Sequence, residues 1–207
     1  MPLVVLASAS PRRAELLRQI GLAFEVWTGG GEEETRGILP ADPDVGDAAG
    51  SAWTLEAVRA RARAAALHKA RPAADANPEA VVIAADTMVM VDGVVLGKPS
   101  TPESAEEMLR RLSGRTHHVA TGVVVAHGRA IELMDDSVTS VRFRWLSGET
   151  ILRYVATGEP MDKAGAYGIQ GRAALFVERV EGDYFGVVGL PLVSLARLLD
   201  SVGVPTF

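Results

Sequence analysis

The run Val81-Val82-Ile83-Ala84-Ala85 contains no polar residue and then meets a carboxylate, Asp86. A strand with one face in water alternates polar and apolar residues, whereas a strand apolar on both faces must be covered on both. This short stretch therefore asks for a sheet with helices on each side. It also places Asp86 at the expected end of the strand, on the sheet rim, where open α/β sheets take their ligands.

The flanking sequence supplies the helices. Val4 to Ala7 reads as a short strand. Ser8-Ala-Ser-Pro-Arg-Arg13 then turns into a helix, with Ser10 as cap, Pro11 in the first turn and Leu16, Leu17 and Ile20 as its apolar stripe. Phe24 to Thr28 reads as a second strand. A helix is expected from Ser51, with Leu55, Val58 and Ala62 on one side, followed by a linker from Arg71 to Pro78. Asp92-Gly93, between Met88–Val91 and Val94–Leu96, predicts a tight hairpin. Thr101-Pro102 opens a helix on Ala105, Met108, Leu109 and Leu112. His118 to Ala126 and Ile131 to Phe143 form a long hairpin, and Ser147 caps a helix reaching about Val155. Leu175–Val180 and Tyr184–Val188 read as strands, and Pro191 starts a last helix. The order predicts an α/β fold, an elongated mixed sheet with flanking helices and two lobes around a cleft, in a single domain over residues 1–207.

Several classes of protein are excluded. With no cysteine, the chain has no disulfide, thiolate nucleophile or Cys-ligated metal. His68, His117, His118 and His127 form no zinc motif, and His117-His118 reads as a half-buried strand start. A formal charge of -5 does not suit a protein that coats nucleic acid. No apolar run approaches a membrane span and the first residues lack a signal-peptide pattern, so the expected compartment is the cytoplasm.

Four clusters could carry chemistry. Ser8, Ser10, Arg12 and Arg13 stand at a strand-to-helix junction, where unpaired amides and forked guanidiniums suit phosphate oxygens; an ordinary cap with solvated arginines is the plainer reading. Asp86-Thr87 can hold a divalent ion, take a proton from water, or form an Asx turn into the hairpin. Gly97-Lys98-Pro99 offers a point charge on a fixed turn. Glu159-Pro-Met-Asp162-Lys163-Ala-Gly-Ala-Tyr-Gly-Ile-Gln170-Gly171 mixes charged, amide and aromatic groups among glycines, as binding loops do. Glu32, Glu33 and Glu34 read as a solvated run or as metal-type carboxylates. A P-loop and a GxSxG elbow are both missing from the sequence.

Leu6-Ala-Ser-Ala-Ser-Pro-Arg-Arg13, Ala84-Ala-Asp-Thr87, Gly97-Lys-Pro99, Leu112-Ser-Gly-Arg-Thr-His117 and Glu159 to Gly171, in that order, resemble the motifs of the Maf family of nucleoside triphosphate pyrophosphatases. The resemblance runs from residue 3 to about 200. It implies hydrolysis of a nucleoside triphosphate to the monophosphate and diphosphate, with Mg²⁺ or Mn²⁺, in a fold similar to the inosine triphosphate pyrophosphatases and in members that are often homodimers. It implies Asp86 as proton acceptor, with Arg12 and Lys98 beside it in catalysis, and Glu33 as the acidic position of the early loop; by residue type Glu33, Asp86 and Asp162 are the metal-type carboxylates. Ser8, Arg12 and Lys98 are implied on the phosphates, where Lys163 is a further anion donor by residue type, and Arg13, Thr87 and Gln170 in base choice, in the manner of the dTTP/UTP subgroup. Arg61 is aligned with a lysine that the family carries in the helix after the acidic loop, and is read with it as phosphate-binding. The competing functions are a house-cleaning enzyme for modified or purine nucleotides, or a non-catalytic nucleotide sensor linked to septum formation. The partner in every case is a nucleotide, with neither nucleic acid nor membrane involved.

Overall fold

A computed structural model describes residues 2–29, 52–128 and 130–206. Its elements are β1 (Val4–Leu6), α1 (Pro11–Gln19), β2 (Glu25–Val26), α2 (Leu55–Ala76), β3 (Val81–Val91), β4 (Val94–Leu96), α3 (Pro102–Leu112), β5 (Thr116–His127), β6 (Ile131–Phe143), α4 (Gly148–Val155), β7 (Val177–Glu181), α5 (Tyr184–Val188) and α6 (Leu192–Ser201). They build one mixed seven-stranded sheet in the order β2-β1-β3-β5-β6-β7, with β4 beside the far end of β3. β1 runs parallel to β2 and β3, while β3, β5, β6 and β7 are each antiparallel to the next. No described helix is long and apolar enough to cross a membrane.

Both faces of β3 are covered, as its apolar run requires. Val81, Ile83 and Ala85 join the larger core with Leu16 and Leu17 of α1, Leu109 and Leu112 of α3, Ile151 of α4, and Leu195 and Leu199 of α6. Val82 and Ala84 face the other way, onto Ala66, Ala70, Ala73 and Ala74 of α2. Asp92 (φ 50°) and Gly93 (φ 74°) form the expected tight turn, with both central residues left-handed. Thr101 and Ser104 cap α3 reciprocally.

Several expectations are corrected. β3 does not stop at Asp86 but continues to Val91, so the carboxylate is in mid-strand. The long helix begins at Leu55, capped by Thr54. Its end is not at Arg71: it passes through Pro72 to Ala76, because Ala73 and Ala74 remain buried against the sheet and Asn77 donates to the Ala73 carbonyl at 2.8 Å. Tyr184–Val188 is a helical turn, although its residues favour strands. Asp183 caps Phe185 N–H, and Gly186 packs so close to β6 that a Cβ would lie 2.1 Å from Ser137 Oγ. The side chain of Ser10 makes no cap; its N–H donates to Ser8 Oγ at 3.2 Å.

His117 is wholly buried, not half-buried. It is 2.8 Å from Tyr167 Oη through Nε2 and packs edge-on against Phe143 and Tyr167. Burial, assisted by the nearby charge of His118, pushes its pKa from 6.5 down to about 3. The unfolded chain therefore binds this proton more readily than the folded one. Stability from keeping His117 neutral is complete above about pH 6.5 and is lost as pH falls toward 3, at up to about 1.4 kcal/mol per pH unit. His117→Gln does not titrate, so urea denaturation should show a shallower loss between pH 6.5 and 4; an unchanged slope would assign the acid lability elsewhere.

Candidate active site

β3 is longer than either neighbour on its outer flank. β1 pairs with Val81–Ile83 and β4 with Val89–Val91, leaving residues 84–88 with β5 on one side and no described strand on the other. A cavity of about 310 Å³ opens at this bare stretch. The start of α1, the Lys98 turn, the 162–170 loop and the 187–189 segment close around it. Because side chains alternate along a strand, Asp86 and Thr87 leave the same stretch toward opposite faces.

On the α2 face, Lys69 Nζ donates to Asp86 Oδ1 at 2.6 Å, and both side chains are partly shielded from water. Lys69 is seven residues from Ala62 and three from Ala66, so it occupies the alanine stripe that α2 lays on the sheet. A close helix–sheet approach lets the ammonium reach the strand. Gly122, paired with Asp86 across β3 and β5, provides it: a Cβ there would lie 2.5 Å from the α2 backbone at Ala62 and Arg63.

On the opposite face, Arg13 is 8% exposed and donates to Gly189 O at 2.8 Å, Ser8 Oγ at 3.1 Å and Thr87 Oγ1 at 3.4 Å. Thr121 Oγ1 is 2.7 Å from Gly186 O and 3.0 Å from Thr87 Oγ1. A carbonyl only accepts, so the Thr121 proton goes to Gly186 and the Thr87 hydroxyl turns its own proton toward Thr121. This network ties α1, β3 and β5 to the segment around α5. Ser8 lies beneath Arg13 and orients it, while Ser10 lines the cavity.

Above the cavity, Asp162 lies 3.4 Å from Arg12 Nη1 and 2.5 Å from Lys163 Nζ. Burial alone would raise its pKa, but the Lys163 hydrogen bond and the charges of Arg12 and Lys163 outweigh that and hold the carboxyl below its usual range. Glu159 organises the loop behind it. Its carboxylate accepts from Tyr154 Oη at 3.0 Å and Arg172 N–H at 3.1 Å, and its carbonyl accepts from Lys163 Nζ at 2.7 Å. Gly171 leaves room for that carboxylate, since a Cβ would fall 2.2 Å from Oε1. Gly165 N–H donates to Gly97 O at 3.0 Å, so the loop bearing Gln170 is joined to the turn bearing Lys98.

Arg12, Arg13, Asp86, Thr87, Lys98, Asp162, Lys163 and Gln170 thus all line one cavity, although up to 158 residues separate them in sequence. Glu33 lies outside the described residues. Arg61 is not among the residues that line the cavity, whereas Lys69, eight residues and about 12 Å further along the helix axis, is. The signal for Lys69 is a lysine among the alanines of the same helix, hidden by aligning the family's lysine with Arg61 eight residues earlier. Among the described residues, no group of three or more His, Asp or Glu side chains converges as a self-sufficient metal site.

Residues 3–202 match the Maf-like protein family. The chain is 49% identical over 205 residues to the dTTP/UTP pyrophosphatase of Moorella thermoacetica, covering 99% of this chain and 97% of that one. It is 48% identical over 207 residues to that of Symbiobacterium thermophilum, with 100% and 97% covered. Against that of Bacillus pumilus it is 42% identical over 205 residues, with 99% and 98% covered.

Proposed function

The chain belongs to the Maf-like protein family, and we propose from that membership that it hydrolyses nucleoside triphosphates, dTTP and UTP foremost, to the monophosphate and diphosphate. What supports this most is the Asp86–Lys69 pair in the wall of a cavity that Arg12, Lys98 and Lys163 also line. Release of diphosphate requires water to attack the α-phosphorus in line with the leaving group. Asp86 takes the proton from that water. Lys69, held on Asp86, lies beside the same reaction centre and offsets charge gathering on the phosphoryl oxygens. Arg12, Lys98 and Lys163 neutralise the leaving diphosphate, and Asp162 keeps Arg12 and Lys163 together until phosphate oxygens replace it.

Of the two described carboxylates that line the cavity, Asp86 is better suited than Asp162 to a divalent cation. Asp162 is matched by two cations, whereas Asp86 is engaged among the described residues only through Oδ1. Mg²⁺ is commonly held by one or two carboxylates together with substrate phosphates, so a single Asp fits that mode. When bound, the ion would polarise the phosphoryl oxygens and acidify water. A panel of nucleoside triphosphates with Mg²⁺ or Mn²⁺, scored for diphosphate, tests the proposal. Preferred turnover of a purine or modified nucleotide would replace the substrate assignment, and binding without turnover would replace the enzyme assignment. We read the setting as the cytoplasm and the protein as a homodimer acting on free nucleotides.

We assign base choice to Arg13, Thr87 and Gln170, all of which line the cavity. A uracil or thymine ring presents carbonyl, N3–H, carbonyl, which an amide can meet with its oxygen and nitrogen; cytosine presents an unprotonated N3 and an amino group. Pairing of this kind rejects the wrong analogue because buried polar groups are left without partners. Gln170→Leu should lower the UTP-to-CTP ratio of kcat/KM about tenfold, through a loss confined mainly to UTP. An unchanged ratio would leave Gln170 a loop residue.

A further inference from the structure

The face of the sheet that carries Asp86 carries a second shielded carboxylate, which the reaction does not use. Asp86 is opposite Gly122 across β3 and β5, and Gly122 is opposite Asp136 across β5 and β6. Directly opposed residues project to one face, so all three lie under α2. The Asp136 side chain is 3% exposed, and it accepts from Arg59 Nε at 2.7 Å and from Arg63 Nη1, both on α2. Helix α2 is thus fastened to the sheet by charges on either side of the point where it touches the Gly122 backbone.

The need for such fastening follows from composition. The buried face of α2 is Val58 followed by Ala62, Ala65, Ala66, Ala70, Ala73 and Ala74. Short, nearly identical side chains set how close the helix comes but interlock poorly with the sheet, since a shift of one turn mostly exchanges alanine for alanine. Ion pairs to a buried carboxylate are intolerant of such a shift, because displacing the partly exposed Arg59 and Arg63 would leave the Asp136 charge uncompensated. Lys69 follows Arg63 by six residues, about 9 Å along a continuous helix.

We propose that Asp136 is a positioning residue for the active site: by holding Arg59 and Arg63 it fixes α2 along its own axis, so that Lys69 meets Asp86. This rests on the hydrolase reading above. It treats the Asp136 cluster as the device that makes one rigid helix deliver a cation to the reaction centre.

Parent, Asp136→Asn, Lys69→Met and the double variant decide the matter, with thermal melts confirming that each is folded. Asp136→Asn should lower kcat for diphosphate release from UTP about tenfold and change KM less than twofold. In the Lys69→Met background the same substitution should cost less than about twofold, since no ammonium remains to be placed. Equal losses in both backgrounds would overturn the proposal. Should Asp136→Asn not fold, Arg59→Gln weakens the same clasp and should give the same pattern at about threefold. A readout without turnover separates this from failure of the hydrolase reading. The Lys69 ammonium, observed by ¹⁵N NMR, should exchange its protons about tenfold faster in Asp136→Asn. Unchanged exchange overturns the positioning role, whereas a parent that releases no diphosphate from any nucleotide overturns only the reaction.

Discussion

Asp86→Asn is expected to remove nearly all diphosphate release, lowering kcat by about 10²- to 10⁴-fold, because the amide keeps the shape of the side chain but cannot take a proton from water. Loss of the carboxylate also weakens any hold on a divalent cation, so added Mg²⁺ or Mn²⁺ should not restore the rate. The fold should survive with a modest penalty. Lys69 loses the partner 2.6 Å away in a partly shielded position, which is worth about 1–2 kcal/mol and a few degrees in Tm. Steady-state assays beside a thermal melt separate the two effects. A variant turning over within threefold of the parent would remove Asp86 from the chemistry, whatever its stability.

The second large effect is expected at a residue that sequence spacing overlooks. Lys69→Met should lower kcat/KM about 10²-fold or more, the size typical of losing one preorganised donor to developing charge. Arg61→Gln should stay within about threefold, since Arg61 does not line the cavity. Comparing the two substitutions on UTP tests the placement of α2 itself. Similar losses in both would return Arg61 to the phosphate site and put Lys69 in a supporting role.

Local rules made much of this molecule legible. Val81–Ala85 announced a strand covered on both faces, Asp92-Gly93 its turn, and Thr101-Pro102 the start of α3, because each is decided within a few residues by burial, φ or capping. The motifs around Ser8–Arg13, Asp86-Thr87, Lys98 and 159–171 pointed to one cavity, and all four contribute to its lining. What stayed hidden depends on distant partners. Asp86 looks like a strand end because a polar residue after five apolar ones normally marks one; here the strand continues along a flank left bare by short neighbours. Pro72 looks like a helix boundary until burial of the alanines beyond it is known. Tyr184–Val188 has strand-forming side chains, but the tight fit of Gly186 against Ser137 selects a helical turn. Ser8 accepts from Arg13 and does not line the cavity itself, a relation that spacing alone cannot distinguish from direct contact with a ligand.

Asp86 and Thr87 are neighbours in the chain, yet the sheet stands between their side chains. One answers to α2 through Lys69, the other to α1 and the region of α5 through Arg13 and Thr121. Under the base-choice proposal above, substitutions that retune which nucleotide is accepted fall on one side of β3, away from the Lys69–Asp86 pair on the other. Such a partition makes the strand an evolutionary firewall. A lineage built on it can diversify its diet of nucleotides by single substitutions on the Arg13–Thr87 side while the Lys69–Asp86 pair stays in place, whereas exchanging the whole of α1 would move Arg12 together with Arg13.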